Sequence, residues 1–252
     1  MKAYQVIESG KPLELNEFDT PKPEGEEVLL KTIACGVCHS DVHIHEGAFD
    51  LGGGKKLPLP LQMPYTLGHE IFGEVIELGP DAKNINIGDK RVIYPWIGCN
   101  QCDVCSSGDE HLCPGGPVLG VQKGGGFGDH VLVPHSRYLM DAGNTPDHLA
   151  GSYACSGLTA YTSLKKANIK DSDNSLIIVG AGGLGMMGIQ IANAAEYVIQ
   201  ISNDEDFNNI VSEASVNSLI YIEEDNIEWS EVDLLKEYFW RIKPIYDNGS
   251  HG

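Results

Sequence analysis

The chain has 252 residues, enough to bury a sizeable core and to form two domains. Its 36 acidic against 17 basic residues leave a formal charge of -19 with no compensating lysine or arginine cluster, which argues against nucleic acid as a partner. No apolar run reaches the roughly 18 residues of a membrane span, and Met1-Lys2-Ala3-Tyr4 lacks the apolar segment of a secretory signal, so a cytoplasmic location is expected and no membrane partner.

Residues 1 to about 146 alternate short apolar runs with Gly and Pro punctuation. The runs at 3–7, 27–32, 71–78, 90–94 and 130–133 predict a small antiparallel barrel or sandwich. Within it, Gly36-Val37-Cys38-His39-Ser40-Asp41-Val42-His43 crowds a thiol, a hydroxyl, a carboxylate and two imidazoles into eight residues. One thiolate cannot hold a catalytic metal, which needs three protein ligands and an open fourth position, so distant partners are expected. Two are available: His69 in Gly68-His69-Glu70, and Cys155 in Ala154-Cys155-Ser156-Gly157. Taken singly, such residues are more often packing than ligands. Residues 65–69 should carry His69 from a turn to the barrel edge, and residues 46–64, with Gly52-Gly53-Gly54 and three prolines, should form a long loop beside the metal site.

Further on, Cys99, Cys102, Cys105 and Cys113 have the spacing of a closed four-thiolate zinc shell, a structural site with no open position. An iron-sulfur cluster is the rival, but its usual spacings differ. With Cys38 and Cys155 assigned to the first metal, Cys35 is the one cysteine left over and is expected to be small buried packing. From about residue 152 the pattern changes. Ser175-Leu-Ile-Ile-Val179 reads as a buried strand, it runs into Gly180-Ala181-Gly182-Gly183-Leu184-Gly185, and residues 186–195 have helical apolar spacing. Between a strand and a helix, such glycines let backbone approach a pyrophosphate at the helix N-terminus, the dinucleotide fingerprint; a tight glycine turn in any α/β domain is the alternative.

Taken together, the Gly-Val-Cys-His-Ser-Asp stretch, Gly-His-Glu, the four-cysteine lobe, Tyr94-Pro95-Trp96, Gly-Asp-Glu-His-Leu-Cys at 108–113 and the glycine fingerprint resemble the zinc-dependent medium-chain alcohol dehydrogenases. The likeness covers about residues 1–195 and is greatest to the tetrameric, archaeal-type members. It implies a two-domain α+β fold: a GroES-like β-barrel catalytic domain at 1–152, with a structural zinc lobe at 95–115, followed by a partial Rossmann α/β domain at 153–252. It also implies hydride transfer between a primary or secondary alcohol, or the matching aldehyde or ketone, and NAD, with two zinc ions per chain and a homo-oligomer, dimer or tetramer.

By motif, Cys38, His69 and Cys155 would hold the catalytic zinc and Cys99, Cys102, Cys105 and Cys113 the structural one. Asp41 would orient His69, and Glu70 would lie behind the metal as an outer or alternative ligand. Ser40 would pass the alcohol proton through the cofactor ribose to His43, whose ordinary pKa near ~6.5 suits exchange with solvent. His39 resembles the position facing the cofactor pyrophosphate, together with Gly180, Gly182, Gly183, Leu184 and Gly185, and Trp96 would line the substrate pocket.

The resemblance stops after about residue 195. The remaining stretch holds 13 acidic and 3 basic residues. Its pattern suggests a strand at 197–202, a helix at 206–214, a strand at 218–222 and a helix near 232–242, half of a nucleotide-binding sheet, truncated or divergent. Asp204 is the candidate for gripping the ribose hydroxyls, and the lack of a following Arg or Lys favours NAD over NADP. Asn248-Gly-Ser-His-Gly252 carries no assigned meaning. Beside the dehydrogenase stand two other readings: a zinc-loaded, catalytically impaired homologue with weak cofactor binding, and a zinc-ribbon interaction module.

Overall fold

Short aliphatic runs form antiparallel sheets, as is seen in a computed structural model describing residues 1–59, 62–167, 178, 180, 182–192, 196–202, 210–216 and 239–245. The chain divides into two units, Met1–Cys155 and Ser156–Gly252.

In the first unit the strands and helices follow in the order β1 (Lys2–Val6), β2 (Glu14–Glu17), β3 (Val28–Gly36), α1 (His39–Glu46), β4 (Ala48–Asp50), β5 (Lys56–Pro58), β6 (Tyr65–Thr66), β7 (Glu70–Leu78), β8 (Lys90–Ile93), α2 (Asp103–Ser106), β9 (His130–Val133), β10 (Leu139–Met140) and α3 (Asp147–Ala150). One sheet has the order β10-β8-β7-β3-β9 and another β2-β1-β6. Residues 127–129 lace them together: Tyr4 N–H donates to Phe127 O at 2.8 Å and Thr32 N–H to Asp129 O at 2.9 Å. Val28, Leu30, Ile71, Val75, Ile93, Val131 and Val133 form the main core. Each such side chain contributes about 1.5–3 kcal/mol on leaving water. A second cluster of Val6, Ile44, Tyr65 and Leu67 seats α1 on the smaller sheet.

Two features of this unit aim the functional segments. Strand β3 pairs with β7 through register shifts at Leu29/Leu30 and Thr32/Ala34, so that its last residue, Gly36, lies opposite Glu70. The ends of these two strands therefore bring the chain on either side of Cys38 and His69 to one place. Between β6 and β7, Gly68 takes φ +95°, and an added Cβ would come within 2.6 Å of the Phe127 ring and 2.8 Å of Cys35 Sγ. Only glycine turns the chain there without strain, and the turn presents His69.

The stretch expected as a long loop, residues 46–64, contains the hairpin β4–β5, with Ala48 opposite Pro58 and Asp50 opposite Lys56. Gly52, Gly53 and Gly54 all have positive φ and close its tip in a turn.

The second unit contains α4 (Ser156–Ala167), α5 (Gly183–Ile191), β11 (Glu196–Ser202), β12 (Ile210–Val216) and β13 (Phe239–Ile245). The helix expected across 186–195 begins earlier, directly on the glycine turn. The helix expected across 206–214 is replaced from Ile210 by β12, which runs antiparallel to β11, and the end of the helix expected near 232–242 is replaced from Phe239 by β13, also antiparallel to β11. Trp240-Arg241-Ile242-Lys243 alternates apolar and charged residues with a period of two, a strand signal, and Pro244 is tolerated because β13 is an edge strand. The expected strand at 218–222 lies outside the described residues, as does all but Ile178 of the one at 175–179.

Candidate metal centres

Helix α1 starts immediately after Cys38, whose backbone is extended (φ -88°, ψ 151°) as an N-cap residue should be. Asp41, three residues on, is only 3% exposed. One of its carboxylate oxygens accepts the Cys38 N–H at 2.9 Å, and the other accepts the Gly68 N–H at 3.2 Å. That second oxygen also lies 3.2 Å from His69 Nδ1, close enough for an ion pair though off the axis of a straight hydrogen bond. A single buried carboxylate thus ties together the segments that carry Cys38 and His69, and it leaves Nε2 as the histidine nitrogen available to a metal.

Cys155 follows the short helical turn Gly151–Ala154. The donor atoms of Cys38, His69 and Cys155 lie within 4.8 Å of one another. Their charges respond to that closeness. A hydrogen bond from Cys155, then one from His69, with help from the backbone N–H and hydroxyl of Ser40, brings the Cys38 thiol down to about 3. Burial pulls His69 down, but Asp41 and the Cys38 thiolate outweigh it and push the imidazole up to about 10. Cys155, half-buried and facing the Cys38 thiolate, is driven well above the usual thiol range. Two half-buried sulfurs and one buried imidazole, backed by a carboxylate, fit a zinc site that keeps an open position.

The donor sulfurs of Cys99, Cys102, Cys105 and Cys113 likewise lie within 4.8 Å of one another. Individual separations are 3.6 Å for Cys102–Cys105 and 3.9 Å for Cys99–Cys105 and Cys102–Cys113, too long for disulfides and suited to a shared ion. Hydrogen bonds from the Gln101 and Cys102 N–H groups lower Cys99 to about 6, as a thiolate ligand requires, whereas burial pushes Cys105 up to about 12. The four-thiolate chemistry fits a closed tetrahedral site.

Other sequence candidates fall around the first cluster. Glu70, 3% exposed, is not among its three donors; its carboxylate occupies the space where a Cβ on Gly36 would stand, 2.2 Å away. Ser40 faces Cys38, and the His43 ring packs 4.7 Å from His39 and 5.2 Å from Phe49, with Nδ1 buried and unpartnered. Trp96 leans on Tyr94 at 5.5 Å beside the four-cysteine lobe. Cys35 is held up to about 12 by burial, an inert thiol as its packing role requires.

The glycine turn forms in the second unit: Gly180 has φ +99°, Gly182 caps α5, and Met186 N–H donates to Gly182 O at 3.0 Å. A Cβ on Gly185 would meet Gly180 O at 1.8 Å, so the turn demands glycine there. Gly183 and Leu184 form the exposed first turn of the helix. Asp204 lies outside the described residues. Sequence reasoning missed Gly36 and Gly68 as positioning residues, although a glycine two residues before one candidate ligand and one before another was a visible signal.

Comparison with known proteins points one way. The family described as the alcohol dehydrogenase GroES-like domain matches residues 24–143. An NAD-dependent alcohol dehydrogenase of Sulfurisphaera tokodaii is 42% identical over 197 residues, 77% of this chain and 56% of the relative. An L-threonine 3-dehydrogenase of Pyrococcus horikoshii is 32% identical over 208 residues, 82% of this chain and 57% of the relative. Among solved structures, a cobalt- and zinc-bound thermostable alcohol dehydrogenase of Pyrobaculum aerophilum superposes with a TM-score of 0.65 at 28% identity, covering 76% of this chain and 56% of that one. The chain thus spans a little over half the length of the relatives it matches. Among the described residues, no helix is long and apolar enough to cross a membrane.

Proposed function

The chain belongs to the medium-chain alcohol dehydrogenase family, and from that premise we propose that it oxidises a primary or secondary alcohol, or reduces the matching aldehyde or ketone, with NAD(H) as hydride partner. The observation that carries this reading is the convergence of Cys38, His69 and Cys155 around one point, with Asp41 behind. These three would hold a zinc ion, and the four cysteines of the lobe a second. When bound, zinc would act as a Lewis acid, lowering the pKa of a coordinated hydroxyl much as it lowers that of water from about 15.7 to about 7.

The remaining roles belong to the chain. Asp41 keeps the His69 ring oriented and its ligating nitrogen basic. Ser40 Oγ would take up the alcohol proton as it hands on its own, and His43 would exchange that proton with solvent. The glycine turn and the N-terminus of α5 would receive the pyrophosphate, and His39 and Asp204 would be further cofactor contacts. Trp96 walls the alcohol site, and Glu70 serves as an outer group. A homo-oligomer in the cytoplasm completes the proposal.

The test is metal analysis together with NAD-dependent turnover of small alcohols. Two zinc ions per chain and activity are expected. Cys155→Ala should lose one zinc and the activity while keeping the other zinc; full turnover without that metal would overturn the reading. The antiparallel course of β11, β12 and β13 favours a second reading, a zinc-loaded homologue that binds cofactor weakly. Fluorescence titration with NADH separates the two: saturation at micromolar NADH supports the dehydrogenase, and two zinc ions without detectable binding supports the impaired form.

A further inference from the structure

One guanidinium joins the four-cysteine lobe to the barrel. Arg137 lies in the short turn Ser136–Tyr138, between β9 and β10 and far along the chain from the lobe. Its Nη2 donates to the Asn100 side-chain oxygen and to the Tyr138 hydroxyl, and it lies 3.3 Å from Glu110 Oε1. Its Cζ stacks 4.6 Å from the centre of the Tyr138 ring. Tyr138 is fixed: it is 3% exposed within the main core, and its carbonyl accepts the Tyr94 N–H at 2.8 Å.

The two residues gripped on the other side belong to the lobe itself. Asn100 follows Cys99 directly, and Glu110 stands three residues before Cys113. Asn100 has φ +62°, a conformation that asparagine tolerates better than most residues, and its backbone N–H is directed at the Cys105 sulfur. The Glu110 stem lies against Gly98, where an added Cβ would sit 3.0 Å from its Cβ and Cγ. Arg137 thus reaches both ends of the loop that carries the four thiols, from an anchor in the barrel core.

We propose that Arg137 is a positioning residue for the four-cysteine lobe: by holding Asn100 and Glu110 together it fixes the N–H facing the Cys105 sulfur and keeps the four thiols at metal-binding spacing. This rests on the lobe being a metal site. Nη2 carries two N–H groups and shares the guanidinium's charge, so one nitrogen draws both lobe acceptors toward the Tyr138 anchor.

The test uses the full chain carrying Cys38→Ser and His69→Ala, so that any bound zinc reports the lobe alone. Zinc release to a chromophoric chelator should be roughly tenfold faster with Arg137→Ala, the loss of one charge-assisted contact. Asn100→Gly keeps the left-handed backbone and its N–H but removes the gripped side chain, and it should speed release to a similar degree. Because both changes break one clamp, the double variant should be no faster than the faster single variant. Effects that multiply in the double variant, or release within twofold of the parent, would overturn the proposal. Amide exchange of residues 98–113 in the metal-free chain is read alongside. If the parent takes up no zinc, the metal assignment fails and exchange decides the clamp: faster exchange in this loop alone supports it, and unchanged exchange overturns it. Should Arg137→Ala not fold, Asn100→Gly and Glu110→Gln carry the same comparison.

Discussion

At the scale of single residues, Asp41 does the most for the candidate catalytic cluster. Its two oxygens face the Cys38 N–H, the Gly68 N–H and His69 Nδ1, three donors from two chain segments. Asp41→Asn keeps the shape but turns a donor toward donors. Zinc affinity at the three-residue cluster should fall by roughly 10- to 100-fold while the four-cysteine lobe keeps its metal, as competition with a chelator would measure. Protonation makes a second prediction. At neutral pH and without metal, Cys38, at about 3, is a thiolate, while His69, at about 10, and Cys155, raised further, hold their protons. A metal must displace protons from His69 and Cys155, so loading strengthens as pH rises and should release about two protons per ion. Calorimetry in buffers of different ionisation enthalpy gives that count, and a value near zero would contradict the assignment. The residues whose donor atoms cluster were legible from residue type and motif. The glycine beside each of two of them was not read as a device, because the reason for it is a distant neighbour: Glu70 fills the space beside Gly36, and Phe127 the space beside Gly68.

At the scale of elements, short apolar runs punctuated by Gly and Pro marked the barrel strands, and His130–Val133 lies where the pattern placed it. The register shifts that extend β3 to Gly36 leave no local trace, since a bulge is defined by the partner strand. The strand expected at 197–202 is β11, but past it the reading failed in a specific way. Acidic and aliphatic residues at 206–214 and 232–242 suggested helix, whereas β12 and β13 follow the shorter alternation that long-range pairing with β11 selects. The turn between β6 and β7 offers a sharp test. Gly68→Ala would force a side chain into left-handed backbone and against Phe127 and Cys35, so it should cost about 2 kcal/mol or more. Thermal unfolding would show this as a fall of several degrees, with His69 displaced and zinc at the three-residue cluster weakened.

At the scale of the whole molecule, a charge of -19 over 252 residues makes self-repulsion a standing cost of the folded state. Raising sodium chloride from a few millimolar to about 0.15 M, where the screening length is about 8 Å, should raise the unfolding temperature. An unchanged or lowered temperature would mean that local pairs such as Lys90–Asp147 at 2.6 Å outweigh the global field. Composition disclosed this charge and the change of character after the glycine turn, but not the antiparallel pairing that follows. Both sets of clustered donors, finally, sit within Met1–Cys155. A full complement of zinc would therefore certify only that unit, and a sample could pass every metal assay while residues 156–252 had come apart.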